Sequence, residues 1–149
     1  MHPKAANHRT RLVALNKYNP ILGNYSDTNG HGHMFKRYSD DGLVEIPNFP
    51  GATSTTPSDI NDNAVIVGNY NLPADGKDIA HGFLYHNGTW ATLNYRNQTT
   101  ATDVAGISGA GTVVGDAFSN GFSTRTASSK TSSVPMESKS RCAAYPRAG

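Results

Sequence analysis

The chain has 149 residues, the length of one domain, and its residues are 36% hydrophobic and 16% charged. No apolar run is long enough to cross a bilayer, so no membrane span is expected. The net charge of +2 conceals an acidic body, because residues 13–121 hold five basic and ten acidic residues between two basic ends. A nucleic-acid-binding surface should be basic, and this distribution argues against nucleic acid as a partner.

The N-terminal segment, residues 1–11, is basic and polar. The longest apolar stretch near it is Leu12–Leu15, which is shorter than the roughly 7–15 residues of a signal-peptide core, so no export signal is expected in the chain as given. Cys142 is the single cysteine and excludes an internal disulfide framework.

Residues 12–121 contain a tandem repeat. Glycines stand at positions 23, 68 and 115, within the words ILGNY, IVGNY and VVGDA, at spacings of 45 and 47 residues. This period is typical of a four-stranded propeller blade. It divides the segment into units of about 15–59, 60–106 and 107–121, so the third unit is partial.

Short apolar runs within a unit predict β-strands. In HGFLYH, Phe83 and Tyr85 are two residues apart and should share one face, whereas Trp90 and Leu93 should lie on opposite faces. In the second unit and just before it, the predicted strands are residues 53–60, 64–70, 81–86 and 89–95.

Turn dipeptides separate these runs. Asn-Gly and Asp-Gly favour two-residue hairpins, because both central residues then need positive φ. The dipeptides are Asn29-Gly30, Asp41-Gly42, Asp75-Gly76, Asn87-Gly88 and Asn120-Gly121. The predicted fold is therefore all-β: antiparallel four-stranded, blade-like repeats of about 45 residues, arranged as a partial β-propeller or an open repeat array.

The residues that define the repeat are interpreted as structural. None belongs to a recognisable catalytic set, and no cofactor, metal or catalytic residue is predicted. The repeat-defining residues are Asn16, Gly23, Tyr25, His33, Phe35, Asn61, Gly68, Tyr70, His81, Phe83, Gly88 and Gly115.

The order of these words resembles the bacterial HAF-type extracellular repeat family, which is named for a His-Ala-Phe tripeptide. The tripeptide corresponds here to His33-Met34-Phe35 and His81-Gly82-Phe83, and the family's Pro-Gly-Ala segment to Pro50-Gly51-Ala52. The resemblance covers about residues 12–121. It implies a tandem, propeller-like β-repeat and an extracellular or cell-surface location, which the residues themselves leave open, and it brings no established catalytic residues.

The C-terminal segment, residues 122–149, is polar and basic. It has too few apolar residues to offset the entropy of ordering, so disorder is predicted from residue 122. The third unit breaks off at Gly121, where the next strand is due. Two interpretations stay open: a fragment or frame-altered product of a longer repeat protein, or a natural flexible tail.

Three chemical alternatives fit the residues less well than structural roles do. Asp27, His31 and His33 are possible metal ligands, but the second unit keeps only the equivalent of His33. Ser108 in GISGAG replaces an asparagine of the other units and lacks the last glycine of a nucleophile elbow. The strand aromatics suit core packing better than a glycan surface. They are Tyr25, Phe35, Tyr70, Phe83, Tyr85 and Trp90.

The predicted function is therefore a non-enzymatic β-repeat module with a scaffold or surface interaction role. The alternative is a glycan- or ligand-binding propeller module. Since each repeat leaves an apolar face that only a neighbour can cover, self-association or further repeats are the expected partners.

Overall fold

The structure is a computed structural model that describes residues 2–5, 9–18, 20–40, 42–74, 77–93, 101–117 and 120–125. These residues form eleven β-strands and no helix, arranged as three antiparallel sheets. The all-β prediction is confirmed. No helix able to cross a membrane occurs among these residues.

Each sheet is a meander in which strands adjacent in sequence pair with one another. The first sheet contains β1 (Thr10–Leu15), β2 (Ile21–Ser26), β3 (Gly32–Arg37) and β4 (Leu43–Ile46). The second contains β5 (Ser54–Ile60), β6 (Ile66–Ala74), β7 (Lys77–His86) and β8 (Thr89–Leu93). The third contains β9 (Asp103–Ile107), β10 (Thr112–Ala117) and β11 (Asn120–Arg125).

The sheets do not begin where the predicted units begin. The unit expected over 15–59 would place most of β5 at its end, but β5 pairs with β6 and opens the second sheet. Likewise β9, assigned by sequence to the end of the unit 60–106, opens the third sheet. A period in the sequence gives a spacing but no starting point, because every position along the period recurs at the same interval.

The third sheet continues past the predicted boundary at residue 121. Asn120-Gly121 was predicted to be a turn, but both residues belong to β11, where Asn120 pairs with Ala117 and Gly121 with Asp116. Phe122 then pairs with Gly115, as Phe35 does with Gly23 in the first sheet. The predicted disorder of the tail is thus wrong for residues 122–125, and residues 126–149 lie outside the described part.

The Asn87-Gly88 turn matches its prediction. The two residues connect β7 to β8 and have φ angles of 48° and 82°, the positive values that a type I′ hairpin requires at both positions. The predicted Asp75-Gly76 turn falls on residues outside the described set.

The core consists of two apolar layers between successive sheets, which we call the first seam and the second seam. Across the first seam, Leu22, Met34 and Ile46 of the first sheet pack on the second sheet. Across the second seam, Val67 and Leu93 of the second sheet pack on the third. The residues that receive them are Ile60, Ile66, Tyr70 and Phe83 in the first seam, and Val104, Ile107, Val113, Ala117 and Phe122 in the second.

The two faces of the second sheet are divided as the sequence predicted. Phe83 and Tyr85 both pack in the first seam, while Leu84 packs in the second. Trp90 and Leu93 lie on opposite faces, in the first and the second seam respectively. The period-two pattern of β7 and β8 therefore corresponds to a sheet buried on both sides.

A glycine on the second strand of each sheet lies against a phenylalanine ring and the backbone of the first strand. A Cβ added at Gly68 would meet the Thr56 carbonyl oxygen, and would lie 2.7 Å from Pro57 Cα and 3.0 Å from Phe83 Cε1. Gly23 and Gly115 have the same kinds of neighbours. The first strand bulges beside each of these glycines, and a bulge next to a glycine allows this close approach.

Replacing Gly68 with Ala should destabilise the protein by about 1–3 kcal/mol, because the new methyl group would overlap backbone atoms that cannot rotate away. Urea unfolding measures the change. Gly109→Ala is the matched control, since a Cβ at Gly109 meets nothing within 4 Å. Equal losses in the two variants would contradict the close-packing interpretation.

Candidate functional site

The recurring histidines and tyrosines form cross-strand ring pairs. Tyr25 pairs with His33 in the β2–β3 ladder, and Tyr70 with His81 in the β6–β7 ladder. The ring centroids are 5.0 Å apart in the first pair and 5.2 Å in the second, and the interplanar angles are 23° and 26°. The two histidines thus pack on equivalent tyrosines, one in the first sheet and one in the second.

A third ring completes each pair. His2 stacks on Tyr25 with centroids 3.8 Å apart, and Phe49 stacks on Tyr70 with centroids 3.7 Å apart. Sequence reasoning missed His2, although it precedes Phe49 by 47 residues and so obeys the repeat period. The signal was present, but the histidine-for-phenylalanine exchange concealed it.

The recurring asparagines connect one sheet to the next. The Asn16 side-chain amide donates to the backbone carbonyl of Asn61 over 3.3 Å, and the Asn61 amide donates to the carbonyl of Ser108 over 3.2 Å. Asn61 Oδ1 also accepts from the backbone N–H groups of Asn63 and Val65 at 3.0 Å each. A single buried side chain therefore both closes its own turn and binds the following sheet.

Asn24 and Asn69, which directly follow Gly23 and Gly68, differ in their hydrogen bonds across the seams. In the second seam, Asn69 donates to Asp103 Oδ1 at 2.6 Å and accepts from the backbone N–H of Val104 at 2.9 Å. Asn24 has the equivalent place in the first seam, but Pro57 stands where Val104 stands in the second. Because proline has no N–H, Asn24 Oδ1 is buried without a hydrogen-bond partner.

A polar cluster lies at one end of β3. His33 Nε2 is 3.1 Å from Asp27 Oδ2, and His33 Nδ1 is 3.2 Å from Asn48 Oδ1. Asp27 Oδ1 also accepts from the backbone N–H groups of Asn29 and His31. The His33 hydrogen bond, followed by these backbone bonds, lowers the pKa of Asp27. Among the described residues, no group of three or more His, Cys, Asp and Glu side chains is placed to hold a metal ion.

A second polar cluster holds the N-terminal segment on the first sheet. Lys4 Nζ forms an ion pair with Glu45 Oε2 at 2.9 Å, and the Tyr25 hydroxyl donates to Glu45 Oε1 at 3.3 Å. The Lys4 bond lowers the pKa of Glu45, whereas burial raises the pKa of Tyr25. His2 has a fully buried side chain, and burial lowers its pKa.

The two clusters border an open depression of about 460 Å³ on the first sheet. The lining combines apolar side chains with an imidazole, a carboxylate and an amide, a mixture suited to holding a small polar ligand. The lining residues are Tyr25, His33, Met34, Glu45, Ile46, Pro47 and Asn48.

The remaining predicted residues lie apart from this depression. Gly23, Gly68 and Gly115 form the close contacts of the sheets, and Gly88 lies in a hairpin. Phe35 and Phe83 cover the first two of these glycines. The repeat-defining residues are thus distributed over all three sheets, and only Tyr25 and His33 of the set line the depression.

Comparisons with protein-family models, with curated proteins and with solved structures gave no match.

Asn61→Ala should lower the free energy of unfolding by about 1–3 kcal/mol, because it leaves buried backbone groups without partners. Chemical denaturation measures the loss. Asn63→Ala is the control, since it removes one exposed bond to the Gly109 carbonyl and should cost no more than about 1 kcal/mol. The interpretation is wrong if the Asn63 variant is the less stable of the two.

Stability should fall as the solution is acidified below about pH 6.5. The lowered pKa of His2 means that the folded state favours the neutral ring. The stabilisation from His2 is complete above the pKa that it has in the unfolded state, and it is lost as the pH falls through its lower pKa in the folded state. The lowered pKa values of Asp27, Glu45 and Asp62 extend the loss below about pH 4.5 in the same direction.

His2→Phe tests the first part of this dependence, since phenylalanine occupies the equivalent position 49. The melting temperature of this variant should change less than that of the wild type between about pH 7 and about pH 5. His86→Gln serves as the control and should keep the wild-type dependence. An unchanged pH profile in His2→Phe would show that His2 does not contribute.

Proposed function

We propose that this protein is a non-enzymatic β-repeat module with a scaffold or surface interaction role. The observation that supports this most directly is the use of the recurring side chains. Asn16 and Asn61 connect successive sheets, and His33 and His81 stack on tyrosines. Residues that recur because they pack within a sheet or connect it to the next serve the architecture and do not require a duplicated reaction centre.

The arrangement of the sheets supports a propeller-like or open repeat array. Successive meanders pack face to face through equivalent residues, and β5 and β9, the first strands of the second and third sheets, lie against the preceding sheet. The resemblance to the HAF-type extracellular repeat family agrees with this proposal and adds an extracellular or cell-surface location.

The second candidate is a ligand-binding module, with a glycan as the natural ligand class. The observation in its favour is the depression beside Tyr25, where the Glu45 carboxylate and the Asn48 amide stand near an aromatic ring. Against it, Tyr25 is only 5% exposed and already stacks on both His2 and His33. A sugar stacks best on an accessible aromatic face, and this ring is almost completely covered.

A titration followed by amide chemical shifts distinguishes the two candidates. Isotopically labelled protein is titrated with neutral and acidic oligosaccharides, and the scaffold proposal expects no saturable shift. Asn48→Ala is the paired variant, because it removes an amide from the lining without touching either seam. Saturable shifts around His33 and Glu45 that disappear in the variant would overturn the proposal in favour of ligand binding.

A further inference from the structure

The outer face of the first sheet is covered only in part by the N-terminal segment and is of the kind that is buried inside the protein. Its outer face carries the Gly23–Phe35 contact, as the second sheet carries Gly68 and Phe83 on the face that fills the first seam. Leu12 pairs with Gly23 on this outer face and is 56% exposed, and Leu15, paired with Ile21, is 71% exposed. The equivalents of these two leucines in the second sheet, Pro57 and Ile60, are buried.

The third sheet presents the complementary face. Val114 points away from the second seam and is 44% exposed. Its equivalents, Leu22 and Val67, are completely buried because the following sheet covers them. In both internal seams, the face that carries Leu22 or Val67 packs on the glycine face of the following sheet.

We propose that the outer face of the third sheet docks on the outer face of the first sheet in a second copy of this chain, forming a third seam. The inference rests on the proposed scaffold function and names its partner. It makes Val114 equivalent to Leu22 and Val67, and it seats this valine against Leu12 and Leu15.

The charges across this third seam are complementary. In the second seam, Asn69 contacts Asp103 and the N–H of Val104. The cross-strand pairs Asn69–Thr56, Asp116–Asp103 and Asn24–Arg11 define the equivalent positions in the three sheets. In the third seam, therefore, Asp116 takes the place of Asn69 and Arg11 the place of Asp103. A carboxylate meets a guanidinium, and both side chains are exposed in the single chain.

The N-terminal segment is compatible with this docking. His2 covers Tyr25 and Phe35 on the outer face of the first sheet. Phe49 covers Tyr70 in the same way inside the first seam, where it packs with the core. A ring in this position is therefore a normal part of a seam and does not obstruct it.

The contact joins two different faces, so it is heterologous and either closes into a ring or continues as an open array. The described residues of two copies form six sheets, within the roughly 4–8 of a closed propeller. A dimer with two identical third seams is therefore the smallest assembly that covers all the outer faces.

Two charge reversals test the proposal by sedimentation velocity over a wide range of protein concentration. The wild-type chain should self-associate, and Arg11→Asp alone or Asp116→Arg alone should each weaken association at least about tenfold by opposing like charges. An equimolar mixture of the two variants should restore it. In a dimer with one copy of each variant, one seam has the native pair of Arg11 and Asp116. The other seam has the same two charges exchanged between its faces.

The single variants separate this contact from a symmetric one, because a contact between two first-sheet faces contains only Arg11 and a contact between two third-sheet faces contains only Asp116. Association that only one of the two reversals weakens would therefore overturn the proposal. A wild-type chain that remains monomeric at all concentrations overturns the proposal, as does association that both reversals leave unchanged. Val114→Gln gives a second check. This valine is 44% exposed and lies outside both internal seams, so the variant should fold normally and associate more weakly. Saccharide binding by a monomer would instead count against the scaffold function, so the two failures are distinguishable.

Discussion

The close contact between a glycine and a phenylalanine ring is the constraint on which the three sheets depend. At Gly68 the preceding strand approaches so closely that a single methyl group would overlap its backbone. This approach requires the bulge in β5, and the bulge turns the edge of that strand towards the preceding sheet. The same arrangement at Gly115 explains why the second and third sheets pack in one direction, each with its glycine face against the sheet before it.

Hydrogen bonds then give the stacked sheets their register. Apolar packing is not directional and would allow one sheet to slide over the next. The amides of Asn16 and Asn61 bind carbonyl groups at fixed points of the following sheet, and Asp59 Oδ2 accepts from the backbone N–H of Ile107 at 2.9 Å. The seams are therefore held by a combination of buried area and a few well-placed polar contacts.

The sequence was most informative where one residue type alone satisfies the geometry. Asn87-Gly88 predicted its hairpin, and the regularly spaced Gly23, Gly68 and Gly115 each lie in a close contact, because positive φ and close contact restrict the residue choice. The starting point of each sheet was not predictable, since a repeat has no natural origin. The strand β11 was missed because Phe122 lacks the histidine that precedes Phe35 and Phe83 by two positions.

The candidate site was less predictable than the fold. The His33 position was visible in the repeat, but its contacts with Asp27 and Asn48 depend on a loop and on the end of β4, where the units differ. Lys4 and Glu45 are 41 residues apart and carry no motif. Ion pairs of this kind depend on the tertiary structure, and a short-range pattern cannot anticipate them.

The unpartnered oxygen of Asn24 has a consequence for the order in which the protein unfolds. Asn16, Asn61 and Asn69 each gain a hydrogen bond across a seam, whereas Asn24 Oδ1 is buried without one, at a cost of roughly 1–3 kcal/mol. Sheets that contact only their neighbours separate most readily at their weakest junction. The chain is thus expected to open between β4 and β5, which would release the first sheet as a unit while the second and third remain together.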